Sequence, residues 1–161
     1  MRNHGFSLIE LMLVIAVIAI LGSIATLSWQ SMQKKAAIET QAKTMYGDLM
    51  DVRSQALYTK RARSVAISSG LFQVYSSTVT SVPPVSQKTL GYAVVWSSAG
   101  TITFDTAGLA NGSERSLCVD PYNDLTVVNA AAVDSLVISA ARINLGKRTG
   151  GNCVTNNIEQ K

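Results

Sequence analysis

Histidine is almost missing from this chain: its single copy, His4, lies at the very start. Past that point no imidazole exists to complete a Ser-His or Cys-His nucleophilic pair, and the commonest transition-metal ligand is gone. Cysteine is nearly as scarce. Cys118 and Cys153 stand far apart, without the C-x-x-C spacing a zinc site uses. Gly108, Gly112 and Gly146 do not compose a phosphate-cradling glycine motif. Charged residues make up only 15% of the chain and leave a formal charge of +4, too small to imply a nucleic-acid binder by itself. Asp48 and Asp51 share a helix face, which reads as a solvated face before an acid–base pair. Asp120 and Asp124 flank a turn, where they either stabilise the turn or contribute oxygens to calcium, and the turn role is the simpler one. The expectation is a non-enzyme with no catalytic residue, no cofactor and no metal.

What is present is hydrophobicity, unevenly spread. Apolar residues account for 47% of the 161, and mean hydropathy is +0.22. The first thirty residues supply much of that. Residues 6–29 contain one charge, Glu10, amid Leu, Ile, Val, Ala and Met. As a helix this stretch reaches roughly 36 Å, enough for a hydrocarbon core of ~30 Å. A cleaved secretory signal is one alternative, with Arg2 and His4 as its basic region and Ser23-Ile24-Ala25 as its cleavage site. Glu10 opposes it, because a carboxylate interrupts the apolar run such signals need. A plain anchor is another, but there an ionised Glu10 at mid-bilayer costs about 2.5–3.5 kcal/mol with no return. Arg2 and His4 before the span, against Lys34 and Lys35 after it, choose no orientation.

The stretch Gly5-Phe6-Ser7-Leu8-Ile9-Glu10, a short basic leader joined to an apolar helix, resembles the N-terminus of type IV prepilins and type II secretion pseudopilins. The resemblance implies cleavage by a prepilin peptidase after Gly5 and N-methylation of Phe6. It also implies that Glu10 pairs with the N-terminal amine of a neighbouring subunit during assembly. Two opposite charges meeting in a low-dielectric environment offset each other's desolvation and fix a helix register.

No Pro or Gly cluster ends the apolar run, so the helix is expected to continue. Ile38, Ala42, Met45, Leu49, Val52 and Ala56 recur at four- and three-residue steps, an amphipathic seam that needs a partner surface. Gly22 and Gly47 are weak points along it. From about residue 63 the period changes, and short strands are expected at 64–68 and 71–77, divided by Ser69-Gly70. Residues 78–88, with Val82-Pro83-Pro84-Val85, read as a loop or edge crossing. A hairpin is expected from 91–96 to 100–104, then a loop over 105–112, a strand at 115–119, a turn at 120–124 and a last clear strand at 136–145 before a Gly-rich tail, 146–152. The predicted class is α+β: a long N-terminal helix packed on a C-terminal antiparallel β head. The expected divisions are leader 1–5, membrane half of the helix 6–29, amphipathic half 30–62 and exported head 63–161.

Leu49, Arg53 and Ala56, two strands, then Ile102-Thr103-Phe104 with Gly108 ahead of a Cys-bearing strand, also resemble the GspH/FimT-type head of minor pilins and pseudopilins. That resemblance implies a subunit of a type IV pilus or a type II secretion pseudopilus. Its partners would be other pilin-type subunits, the prepilin peptidase and the bacterial inner membrane, crossed once with the head outside. In an exported head, Cys118 and Cys153 are expected to form a disulfide, closing a loop with a value of about 3–4 kcal/mol; in the cytosol they would stay thiols.

Some FimT-type minor pilins bind DNA for uptake through a basic Gly-Arg-x-Arg motif. The matching place here reads Gly146-Lys147-Arg148-Thr149, with Thr149 where the second Arg would stand. Arg142, Lys147 and Arg148 are therefore candidate phosphate contacts, without an interleaved aromatic for base stacking. The alternative is a solvated basic turn. Lys60, Arg61 and Arg63 form a second cluster at the helix-to-strand transition, either a solvated junction or a contact to a neighbouring subunit.

Overall fold

The structure, a computed structural model, describes residues 7–68, 70–98 and 100–161, with the side chains of 24–27 outside that set. Among the described residues it runs from one long helix, α1 (Leu8–Thr59), through nine strands, with a short 3-10 turn at Thr155–Asn157 before the last strand. The chain divides into two compact units, Met1–Lys34 and Lys35–Lys161.

In the first unit, residues 8–23 of α1 are apolar on all sides apart from Glu10 and Ser23. The helix is long and apolar enough to cross a membrane, and none of its most hydrophobic window is buried. Ser23 Oγ donates to the Ile20 carbonyl at 2.7 Å, so this hydroxyl adds little polarity to the helix surface.

In the second unit the predicted seam is the core-facing stripe. Ile38, Ala42, Met45, Leu49, Val52 and Ala56 are all buried. The stripe packs on two antiparallel sheets. The first has the order β3 (Ser86–Thr89), β2 (Leu71–Tyr75), β1 (Arg63–Ser68), β5 (Thr101–Phe104). The second runs β4 (Ala93–Trp96), β6 (Arg115–Asp120), β7 (Ser135–Ile138), β8 (Ile143–Arg148), β9 (Ile158–Gln160). Alternation with a period of two sends Val65, Phe72, Ile102 and Phe104 of the first sheet into the core. Leu117, Val119, Leu136 and Ile138 of the second sheet join them in the same cluster. The intervening residues Cys118 and Val137 face the other side of that sheet, where Cys153 and Ile158 cover them.

Several predicted strands change. The expected hairpin between 91–96 and 100–104 does not form: β4 pairs with β6 and β5 pairs with β1, so the two strands belong to different sheets. The intervening turn is taken up by outside partners. Ser97 N–H donates to Ser116 O at 3.0 Å, and Gly100 O accepts Ile67 N–H at 3.3 Å. The single strand expected over 136–145 is two, β7 and β8, with a turn in which Ser139 and Arg142 bond each other through backbone and hydroxyl. Ala140-Ala141-Arg142 carries no Gly or Pro to announce that turn. Within the expected tail, residues 146–148 complete β8, and β9 follows at Ile158–Gln160. β3, expected as loop or edge crossing, is a fully polar edge strand whose apolar partner β2 supplies its register, Val74 opposite Ser86 and Phe72 opposite Lys88.

Candidate functional site

Two regions carry the residues singled out by sequence: the start of α1 and the end of the second sheet. At the first, Gly5 and Phe6 lie outside the described residues. Ser7 accepts the first helical hydrogen bond, from Leu11 N–H at 3.1 Å. Glu10 falls in the first turn, where its charge complements the positive end of the helix dipole, and it is exposed. Around it Leu8, Ile9, Leu11 and Met12 are 56–77% exposed. This surface is the one large apolar face among the described residues that lacks a covering element within its own unit, and Glu10 is the only acid in it.

At the second region the disulfide is formed: Cys118 Sγ and Cys153 Sγ are bonded, with Cα atoms 5.8 Å apart and a sequence separation of 35. It ties the segment after β8 to the interior strand β6. Ser116 Oγ reinforces the tie by donating to Cys153 O at 2.9 Å.

The three candidate cations do not share one surface. Arg142 is exposed in the β7–β8 turn. Lys147 reaches inward, with Nζ 2.6 Å from Asp134 Oδ2 and 2.7 Å from Asn129 O. Arg148 is fully buried. Its guanidinium donates to three carbonyls, Leu125 O at 2.6 Å, Gly151 O at 2.9 Å and Val127 O at 2.8 Å. A buried cation gains most when it satisfies otherwise orphaned carbonyls, and here it gathers the 121–130 loop and the disulfide-held segment around one planar fork.

Sequence reasoning missed Asp134. Its carboxylate is fully buried and accepts four donors: Ser135 Oγ and Arg148 N–H on Oδ1, Asn129 Nδ2 and Lys147 Nζ on Oδ2. The available signal was a lone acid inside the apolar run Val133-Asp134-Ser135-Leu136, which demands an internal cation.

The four other aspartates singled out by sequence each have a structural partner. Asp120 Oδ1 accepts Tyr122 N–H at 3.1 Å, and Asp124 Oδ1 accepts Thr126 N–H at 2.8 Å and Thr126 Oγ1 at 2.6 Å. Both are turn-stabilising side chains, as expected. The Thr126 hydroxyl, and then its amide, hold the Asp124 carboxyl below the usual carboxylate value. On α1, Asp48 pairs with Lys88 at 2.6 Å, and Asp51 accepts Gln55 Nε2 at 2.7 Å.

A family model described as the prokaryotic N-terminal methylation motif matches residues 1–26. The fold is similar to crystal structures of the type IV minor pilin FimU of Pseudomonas aeruginosa (strain PAO1). One, in space group P21, gives a TM-score of 0.56 at 18% identity, covering 71% of this chain and 91% of that chain. Another, in space group P65, gives 0.53 at 19% identity, covering 66% and 90%. The fold is that of a type IV minor pilin's head and helix, in likeness. The motif match lies on the start of the chain and of its apolar helix, and the likeness to FimU lies in the α+β fold. No curated protein sequence matches it.

Proposed function

We propose that this pilin-like chain is a non-enzymatic minor pilin or pseudopilin. In this reading it is inserted in the bacterial inner membrane as a single-pass protein with its head outside. A prepilin peptidase processes it at Gly5–Phe6, Phe6 is N-methylated, and the mature chain assembles with other pilin-type subunits through α1. The observation that carries the reading is the N-terminal methylation motif running directly into an uncovered apolar helix. Association of such helices in lipid rests on side-chain packing and on satisfying the few polar groups they hold. Glu10 has no counter-ion among the described residues, and the amine freed on Phe6 by cleavage is the counter-ion the chemistry asks for. Assembly into a type IV pilus has the support of the FimU-like head; service in a type II secretion pseudopilus remains a second form of the same subunit role.

The DNA-uptake alternative, with Arg142, Lys147 and Arg148 on phosphates, draws less support. Lys147 and Arg148 are engaged internally, and only Arg142 is exposed.

N-terminal sequencing and mass spectrometry of membrane-extracted protein test the proposal. The expected product begins at methylated Phe6. A product beginning at Thr26 is that of a secretory signal and refutes it.

A further inference from the structure

A lysine amine, an asparagine carboxamide and a carboxylate meet where the 121–130 loop lies on β8. Lys147 Nζ is 3.1 Å from Asn129 Oδ1 and 2.6 Å from Asp134 Oδ2. The same Asp134 oxygen accepts Asn129 Nδ2 at 2.8 Å. One carboxylate oxygen therefore bridges an amine and the nitrogen of a primary amide. Asn129 and Asp134 are buried, and the Lys147 side chain is 16% exposed. The orientation of the carboxamide is fixed, because Ala131 N–H donates to Asn129 Oδ1 at 3.0 Å and only an oxygen can accept there.

For an amine to displace ammonia from an amide it needs a reachable carbonyl carbon, a donor on the oxygen that becomes negative, and an acid for the leaving nitrogen. The carbon, Asn129 Cγ, is one C=O bond of about 1.2 Å from Oδ1. The flexible four-carbon stem of Lys147 lets Nζ move onto it. Ala131 N–H already points at the oxygen on which charge develops. Asp134 Oδ2 touches both the nitrogen that must lose protons and the nitrogen that must gain them. Burial keeps water away from Cγ. It also penalises charge, so passing a proton from an ammonium to a carboxylate, which leaves two neutral groups, costs less than in water.

We propose that Lys147 and Asn129 form an intramolecular isopeptide bond, with Asp134 as the proton shuttle. Asp134 takes a proton from Lys147 Nζ, the freed amine attacks Asn129 Cγ, and Asp134 returns the proton to Nδ2. The Nζ–Cγ bond forms and the Cγ–Nδ2 bond breaks. Two protons in all pass from Nζ to Nδ2, which departs as ammonium, and no oxidant or co-reactant is needed. In the linked chain the new amide N–H remains a donor to Asp134. β8 is then tied covalently to the loop whose Leu125 and Val127 carbonyls hold Arg148. The proposal concerns the head alone and stands independently of how the N-terminus is processed.

The test uses detergent-solubilised full-length protein, incubated after folding, then reduced and digested with trypsin. Residues 116–141 contain no Lys or Arg, so 116–142 is released as one peptide. The expected product is a branched species in which 116–142 and 143–148 are joined, lighter than their sum by ~17 Da, the mass of ammonia. Fragmentation should place the branch between Asn129 and Lys147. Lys147→Arg keeps a cation beside Asp134 without the attacking amine and should yield separate peptides. Asp134→Asn should form the bond at least about a hundredfold more slowly, the low end for loss of an acid–base group. Separate peptides from the unaltered protein, an ammonia loss confined to Asn129 as in a succinimide, or an undiminished rate in Asp134→Asn overturns the proposal. The branched peptide is sought in the unaltered protein, so it decides the matter even if a substitution impairs folding.

Discussion

The side chain of Gln41 bonds the peptide of Tyr92 in both directions, Nε2 donating to Tyr92 O at 2.9 Å and Oε1 accepting Tyr92 N–H at 2.8 Å. The helix thereby supplies, through one carboxamide, the hydrogen bonding that a neighbouring strand would otherwise give at the entry to β4. β4 is an edge strand of the second sheet, with a partner on one side only. Its position against α1 is consequently fixed by polar as well as apolar contacts. Trp96 adds a link from the far end of the same strand, its Nε1 donating to Ile67 O of the first sheet at 3.2 Å. Replacing Gln41 by Leu strands both groups of the Tyr92 peptide and is expected to cost about 1–3 kcal/mol. Denaturant unfolding followed by tryptophan fluorescence measures it.

A second prediction concerns the ion pair between Lys147 and Asp134, whose side chains are 16% and 1% exposed. Substituting Lys147 by Met leaves the carboxylate buried with its counter-ion gone. The expected loss is about 3 kcal/mol, at the lower end for breaking a buried pair because three other donors remain. Asp134→Asn in the same background should recover part of it, since the neutral amide needs no cation. Urea midpoints of the single and double variants give the coupling directly.

Opening the disulfide releases a 35-residue separation from constraint. Chain-entropy reasoning gives a loss of about 4 kcal/mol for the Cys118→Ser, Cys153→Ser double variant. Because Gly151 O is one of the three carbonyls on Arg148, amide hydrogen exchange should accelerate in residues 149–153 before it does in β7.

Glycine substitutions should separate by sign. Gly47 is helical, and a Cβ there meets nothing within 4 Å, so Gly47→Ala is expected to stabilise by up to about 1 kcal/mol. Gly108 has φ +69, and a Cβ there would lie 2.6 Å from Leu57 Cγ. Gly108→Ala therefore combines backbone strain with overpacking and should destabilise by about 1–3 kcal/mol. Thermal unfolding of the two variants side by side checks both signs.

The lowered pKa of Asp124 sets a pH dependence. A depressed carboxylate contributes stability above its unfolded value, near 3.8, and the contribution is lost as pH falls below that point through the folded value. Asp124→Asn cannot titrate. The advantage of wild type over this variant should be constant from neutral pH down to about 5, and should shrink steadily below pH 4. A series of melting temperatures against pH for the two proteins reads it out.

Which parts of the molecule could be read from the chain depends on whether the information was local. The seam Ile38, Ala42, Met45, Leu49, Val52, Ala56 was legible because helical periodicity is written in consecutive residues, and each of the six is buried. The disulfide was legible once an exported head was supposed. The hairpin at 97–100 was not: Ser-Ser-Ala-Gly has ordinary turn chemistry, and only the competing partners Ser116 and Ile67 divert the flanking strands into different sheets. β3 was hidden because an edge strand in contact with solvent needs no apolar alternation. Its identity comes from β2, which pairs with it.

The basic residues near the C-terminus show the same division. The sequence by itself determined that Lys147 and Arg148 are adjacent cations in a Gly-rich setting, and that residues 6–29 form an apolar run of membrane length with one charge, Glu10. Only the tertiary structure decided where those two cations go. Side chains alternate along β8, and residues 13 to 23 positions earlier close around them, so one neutralises Asp134 and the other gathers the carbonyls of Leu125 and Val127, together with that of Gly151 three positions later. A charge is placed by the partners that compensate its desolvation, and most of those partners are distant in the chain.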